Sequence, residues 1–157
     1  MIKHPFPPLY DKDSKILILG SFPSVKSREQ LFFYGHPQNR FWKVISGVFN
    51  APTPETLEEK KEFLYQHNIA LWDVISECDI VASSDSSIKN VIPNDLLKIL
   101  KNSAVKRIFV NGKAAEKYYN KYTKPILNID AIYLPSTSPA NAMWTLDRLI
   151  DAWKIIL

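Results

Sequence analysis

Four short apolar runs, each cut off by a polar or turn-forming residue and separated by stretches of helical periodicity, limit what this chain can become more than any other feature. Lys15-Ile16-Leu17-Ile18-Leu19-Gly20 lacks the polar alternation of a half-buried strand, and Gly20 and Pro23 end it. It reads as a strand buried on both faces, the parallel-sheet kind. Ile69 to Ile75, Arg107 to Asn111 and Ala131 to Leu134 read as the other three. Between them, Ser24 to Phe33 looks helical with Ser24 as its cap, and residues 39–49 set Phe41, Trp42, Ile45, Val48 and Phe49 at helical spacing. Thr56-Leu57-Glu58-Glu59 is a capping box opening a helix to about His67. The stretch from Cys78 to Ile92, rich in Ser and Asp, reads as loop, and Pro93 opens a short helix to about Lys101. A Lys/Tyr-rich helix follows Gly112. Pro139 stands at a first helical position, and Leu146, Leu149, Ile150, Trp153 and Ile156 mark the inward stripe of the last helix.

The order β-α-α-α-β-α-β-α-β-α contains no repeat. It predicts one α/β domain over residues 1–157, with three layers, α/β/α, around a short, mostly parallel sheet. Ligands of such sheets bind beyond the carboxyl ends of the strands, so the loops after Leu19, Ile75, Val110 and Leu134 are the ones to inspect.

Composition narrows the class further. An apolar fraction of 46% in 157 residues supports a core and argues against disorder. No apolar run approaches the roughly 20 residues of a membrane span. The single cysteine, Cys78, forms no internal disulfide and holds no metal alone; with no signal-length apolar stretch at the N-terminus, a cytoplasmic protein is expected. Cys78, Trp72 and Trp153 read as packing residues. The net charge of +4 is modest but uneven: residues 1–50 carry 7 basic and 3 acidic residues, 51–100 carry 4 and 9, and 101–157 carry 9 and 4. A face built from the first and last thirds would attract a polyanion; solvated lysines scattered over the surface are the plainer alternative.

Each strand end carries residues with two readings. Gly20-Ser21-Phe22-Pro23-Ser24 is a tight strand-to-helix turn whose free N–H groups suit an anion or a base, but it is no phosphate loop, since the Gly-x-x-x-x-Gly-Lys-Ser/Thr pattern is absent. In Tyr34-Gly35-His36-Pro37-Gln38-Asn39-Arg40-Phe41-Trp42, Asn39 is a natural helix cap, while His36, Gln38 and Arg40 form a polar cluster that a cap does not require. Asn111, before Gly112 and Lys113, is either a strand-tip amide presented to a base edge or part of an Asn-Gly turn. Leu134-Pro135-Ser136-Thr137-Ser138-Pro139-Ala140-Asn141 offers hydroxyls and N–H groups to a phosphate, or simply caps a helix with Ser138.

Together these four segments resemble the uracil-DNA glycosylase superfamily, and within it the hypoxanthine-DNA (deoxyinosine) glycosylase branch, from about Pro7 to the end of the chain. The second and fourth segments are the specific ones. The resemblance implies a monofunctional glycosylase that excises deaminated bases, hypoxanthine first and uracil second, from double- or single-stranded DNA. It implies no metal and no cofactor, and a monomer is expected. Most of the superfamily has a polar residue in the first motif to orient the attacking water; Phe22 stands at that position, a departure the hypoxanthine branch shares. The branch implies that Asn39 orients the water and Asn111 reads the base. Gly20, Ser21, Phe22 and Phe33 would surround the base, with either ring stacking on it. His36, Arg40, Lys113, Ser136, Thr137, Ser138 and Asn141 would hold DNA, and Asn141, Ala142 or Met143 would stand near the space the base vacates. Asp85 to Asn90 reads as supporting structure. An amide is too weak a base to deprotonate water, but it can place it, and a dissociative, oxocarbenium-like transition state asks little more of the nucleophile. The alternatives are a mismatch-specific uracil glycosylase, a DNA-binding module that has lost catalysis, and a small-molecule-binding α/β domain.

Overall fold

A computed structural model describes residues 1–157. Strand β1 is Ile2–Lys3 and β2 is Ile16–Gly20. β2 pairs in parallel with β3 (Ile69–Asp73) on one side and with a strand over Arg107–Asn111 on the other. Leu17, Ile18 and Leu19 are all fully buried. Because consecutive residues of a strand point to opposite faces, the sheet is covered on both, as the unbroken apolar run requires.

Helices α1 (Val25–Gln30), α2 (Phe41–Val48) and α3 (Leu57–Gln66) lie between β2 and β3. Ser24 caps α1 by accepting from the Ser27 N–H, and α1 ends three residues earlier than its sequence predicts, at Leu31 in the left-handed region. The Thr56/Glu59 capping box forms as expected. Beyond β3 come β4 (Ile75–Asp79), β5 (Lys89–Pro93), α4 (Leu97–Lys101), β6 (Arg107–Asn111), α5 (Lys113–Tyr118), α6 (Lys124–Leu127), β7 (Ala131–Leu134) and α7 (Leu146–Trp153). The parallel sheet has the order β3-β2-β6-β7. From its centre one crossover runs from β2 to β3 and another from β6 to β7, in opposite directions. Right-handed connections therefore put their helices on opposite faces, and the crevice opens where the direction reverses, between β2 and β6. A single cluster of 37 buried residues runs from Phe6 to Ile156.

Three expectations change. The stretch from Cys78 to Ile92 is not all loop: β4 and β5, with a 3-10 turn at Asp85–Ser87, pair antiparallel, and β1 joins β4 to complete a second sheet of order β1-β4-β5. Its strands interrupt their register twice and carry half-exposed polar residues, so no apolar run announces them. Pro93 closes β5, an edge strand where a missing N–H is tolerated, instead of opening a helix. Pro139 lies in a turn, and α7 starts only after Thr145, whose hydroxyl accepts from the Arg148 N–H. The stripe of α7 does face inward: Leu149 and Trp153 are fully buried, and Trp153 meets Phe41 of α2 edge-on at 5.8 Å.

The N-terminal segment covers the open edge of β3. Leu9 exchanges backbone hydrogen bonds with Leu71, and the His4 N–H donates to the carbonyl of Ser76. This strap carries His4 beneath the carboxyl ends of the parallel strands.

Candidate active site

Those carboxyl ends converge on a cavity of about 340 Å³. Gly20 ends β2, Asp73 ends β3, Asn111 ends β6, and Ser136, Thr137 and Ser138 follow β7; all line it. The turn after β2 adds Ser21 and Phe22, and the segment leading into α2 adds Phe33, Tyr34, His36 and Asn39. Its size lies within the roughly 300–1,000 Å³ of small-molecule sites.

One chain of hydrogen bonds joins three of these residues. The Phe41 N–H donates to Asn39 Oδ1 at 2.9 Å, and the Thr137 hydroxyl donates to the same oxygen at 2.9 Å. Asn111 Nδ2 donates to the Thr137 hydroxyl at 3.1 Å, while Asn111 Oδ1 accepts from the Thr137 N–H at 3.2 Å. Since a backbone N–H can donate to the oxygen of a side-chain amide but not to its nitrogen, both amides have a fixed orientation. Asn39 stands one residue before the helix cap, which is Arg40 and not Asn39 as expected; it accepts from the first helical N–H and also lines the pocket. Both lone pairs of the Asn39 oxygen are taken within the protein, so the water that Asn39 is expected to orient cannot be held by that oxygen. The Asn39 amide nitrogen, which makes no bond within the protein, is the edge left for a ligand.

Tyr34 sits in the left-handed region at φ 51°, an uncommon conformation for a bulky residue. This backbone turn stacks its ring on Phe41, centroids 4.0 Å apart, and brings its hydroxyl 3.4 Å from Asn111 Nδ2, from which it accepts. Burial, and then the nearby negative charge of Asp73, push the Tyr34 pKa well above the ordinary phenol value, so the hydroxyl keeps its proton. Asp73 is itself 4% exposed. His4 Nε2 meets its Oδ2 at 2.7 Å, and His4 Nδ1 accepts from the Phe6 N–H at 3.5 Å, which leaves Nε2 as the protonated, donating nitrogen. At the rim the Ser21 hydroxyl donates to Asp85 Oδ1 at 3.0 Å. Desolvation by the surrounding protein raises the Asp85 pKa, the Ser21 bond works against that, and the charge of Asp73 adds to it.

Both candidate stacking rings line the cavity: Phe22 under the guanidinium of Arg28 at 5.7 Å, Phe33 edge-on to Phe6 at 4.8 Å. His36 Nδ1 accepts from the Gln38 N–H at 3.1 Å, and Ser136 Oγ accepts from the Ser138 N–H at 3.1 Å. Arg40, Lys113 and Asn141 are not in the wall. The Arg40 guanidinium donates to the carbonyls of Trp144, of Asn141 at 3.0 Å and of Ser138 at 3.2 Å, and Asn141 Nδ2 donates to the Ser136 carbonyl at 3.0 Å. These two side chains brace the loop after β7. Lys113 is exposed at the first residue of α5. On the same loop Met143 is 89% exposed, the highest value of any large apolar side chain in the protein.

Tyr34, Asp73 and Asp85 are pocket residues that sequence reasoning left without a role. Tyr34 stands inside the second motif, and Asp73 is the only acid in the apolar run Ile69 to Ile75, which is a usable signal. Nothing in the sequence connects His4 to either.

Comparison with known proteins gives the site a family. The profile of the Uracil DNA glycosylase superfamily matches residues 7–156. A curated hypoxanthine DNA glycosylase of Methanosarcina acetivorans is 33% identical over 161 residues, covering 99% of this chain and 98% of the relative. One of Methanosarcina barkeri is 33% identical over 147 residues, covering 90% and 89%. A solution NMR structure of a candidate uracil DNA glycosylase from Methanosarcina acetivorans superposes with a TM-score of 0.83 at 30% identity, covering 99% of this chain and 96% of that one.

Proposed function

The chain belongs to the uracil DNA glycosylase superfamily and is a DNA glycosylase, and from that premise we propose that it releases hypoxanthine from DNA, with Asn39 placing the attacking water and Asn111 contributing to the base site. The observation that carries this reading is the Asn111–Thr137–Asn39 chain of hydrogen bonds on one wall of a base-sized cavity, in a protein two of whose relatives are named for hypoxanthine.

The reaction is hydrolysis of the N-glycosidic bond. The bonding electrons leave with the base, the water oxygen bonds to C1′, and the water proton ends on the departing base. The target nucleotide first leaves the stack, at a cost on the order of a few kcal/mol that is smallest for a mispaired base. Inside the cavity, donors fixed before the reaction oppose the charge developing on the base without reorganising. Asn39 places the water through its nitrogen, because the Phe41 and Thr137 bonds hold its oxygen and leave the N–H donors free for what occupies the pocket. Met143 fills the vacated space, with Asn141 bracing the loop that carries it. His36, Ser136 and Ser138 line the rim where the flanking phosphates pass, and Lys113 meets the backbone from outside it. The protein acts as a monomer on double- or single-stranded DNA in the cytoplasm; no helix is long and apolar enough to cross a membrane.

Single-turnover release of hypoxanthine, uracil and xanthine from labelled duplexes tests this. Hypoxanthine is expected to be released fastest, and Asn39→Ala to slow it by about 100-fold, in line with removal of a group aimed at the reacting centre. An Asn39→Ala protein as fast as the parent removes the assigned role. Binding of lesion-bearing duplex with no abasic product removes the enzyme.

A further inference from the structure

We propose that Asp73 and Tyr34 read the lactam edge of the extruded base, Asp73 Oδ1 accepting N1–H and the Tyr34 hydroxyl donating to O6, and that this pair admits hypoxanthine and rejects adenine. The inference rests on the pocket being the base site, as argued above.

Deamination of adenine reverses one edge of the ring. Adenine presents an acceptor at N1 beside a donor amino group; hypoxanthine presents a donor at N1 beside an acceptor oxygen. A site that tells them apart needs one committed acceptor next to one committed donor. Asp73 is the acceptor. Its Oδ2 is locked by His4 at 2.7 Å, its other oxygen makes no bond within the protein, and the residue lines the cavity. Tyr34 is the donor. Its oxygen already accepts from Asn111 Nδ2, so its hydrogen points elsewhere, and the raised phenol pKa keeps that hydrogen in place.

Gly20 sets the two side by side. A Cβ there would stand 2.5 Å from Asp73 Oδ1 and 3.4 Å from the Tyr34 oxygen, so only glycine leaves room for both groups at the end of β2. Adenine would turn its N1 lone pair toward the carboxylate and its amino hydrogens toward the Tyr34 hydrogen. Two like pairs facing each other, each cut off from water, exclude it. Asp85, the other carboxylate of the cavity, stands at the rim with Oδ1 held by Ser21, whereas Asp73 lies at the cavity floor, 4% exposed.

The variant Asp73→Asn gives a readout that mere damage cannot. His4 Nε2–H would hold the amide oxygen, leaving Nδ2 to face the base as a donor and reversing the polarity of the acceptor position. Single-turnover release is measured for parent and variant on duplexes carrying hypoxanthine, adenine or N1-methylhypoxanthine, with folding checked by circular dichroism. The parent is expected to release N1-methylhypoxanthine at least about 10-fold more slowly than hypoxanthine. In Asp73→Asn the hypoxanthine-to-adenine rate ratio is expected to fall by about 100-fold. An equal loss on every base overturns the proposal in favour of a structural or water-placing role for Asp73. Should the variant not fold, the parent decides alone, and equal rates on hypoxanthine and its N1-methyl derivative overturn the proposal. A parent that releases no hypoxanthine sinks the excision reading as well; a parent that does, with an unaltered preference in the variant, sinks this inference only.

Discussion

Thr137 bonds at once to Asn39, Asn111 and Arg40. Its hydroxyl gives to Asn39 and receives from Asn111, its N–H gives to Asn111, its carbonyl accepts from the Arg40 N–H at 3.0 Å, and the residue is fully buried. Thr137→Val keeps the shape and removes the hydroxyl. It leaves Asn39 Oδ1 with one donor fewer and Asn111 Nδ2 with the Tyr34 oxygen, 3.4 Å away, as its one partner, at a cost of about 1–3 kcal/mol for the buried N–H left unpaired. Hypoxanthine release is expected to slow by about 10-fold as the Asn39 amide gains freedom to rotate, and Thr137→Ser, which restores the hydroxyl, should recover most of the rate. Urea unfolding of the two variants beside single-turnover rates separates stability from placement; equal rates in parent and Thr137→Val would deny the bridge a role. At this scale the sequence is informative where a residue's chemistry is local. Asn39 can be singled out because its neighbours are more polar than a cap demands, and Ser136 to Ser138 because hydroxyls cluster after a strand. The partnership between them, joining residues 98 positions apart, exists only once β6 and β7 lie side by side.

At the level of elements, α3 shows what belongs to the fold and not to the site. Thr56 accepts from the Glu59 N–H at 3.1 Å and the Glu59 carboxylate accepts from the Thr56 N–H at 2.9 Å. Neither residue touches the cavity. Thr56→Ala is therefore expected to cost about 1 kcal/mol of stability, seen as a lower urea midpoint, with hypoxanthine release unchanged. The Glu59 carboxyl is held below its usual range by the hydrogen bonds from Thr56. A depressed folded-state pKa means this contribution is complete above the ordinary carboxylate range and is lost as pH falls through the lowered value. Unfolding curves taken through mildly acidic pH should accordingly show a smaller acid-side loss in Glu59→Gln, which has no carboxyl to titrate, than in the parent. The capping box, the parallel strands and the stripe of α7 are legible because each is a pattern within a few residues. β4 and β5 are not: their pairing is broken by irregular register and their sequence, Ser- and Asp-rich between the strands, carries turn chemistry. The sheet they form with β1 depends on long-range pairing that no local window contains.

For the molecule as a whole, that second sheet matters because it carries the N-terminal strap to the pocket. β1 pairs with β4, β4 continues the chain directly from β3, and the result is His4 seated against Asp73 from 69 positions away, with side-chain exposures of 2% and 6%. A buried carboxylate that loses its partner is left uncompensated, which costs about 3 kcal/mol or more. His4→Ala is expected to lower stability by that order, and to weaken the hypoxanthine-over-adenine preference, because an Asp73 freed of its lock can turn and so stop presenting Oδ1 as a fixed acceptor. His4→Gln separates the two consequences. Its side-chain N–H can donate to Asp73 as His4 Nε2 does, so base preference should return toward the parent value even if the aromatic packing of His4 on Trp72, centroids 4.4 Å apart, is lost and stability stays low. The measurements are urea midpoints and single-turnover rates on hypoxanthine and adenine duplexes for all three proteins. Preference that tracks stability across the series would make the strap mere scaffolding. Preference that follows the presence of a donor at position 4, whatever the stability, would show that an N-terminal segment outside every motif tunes which base the pocket accepts.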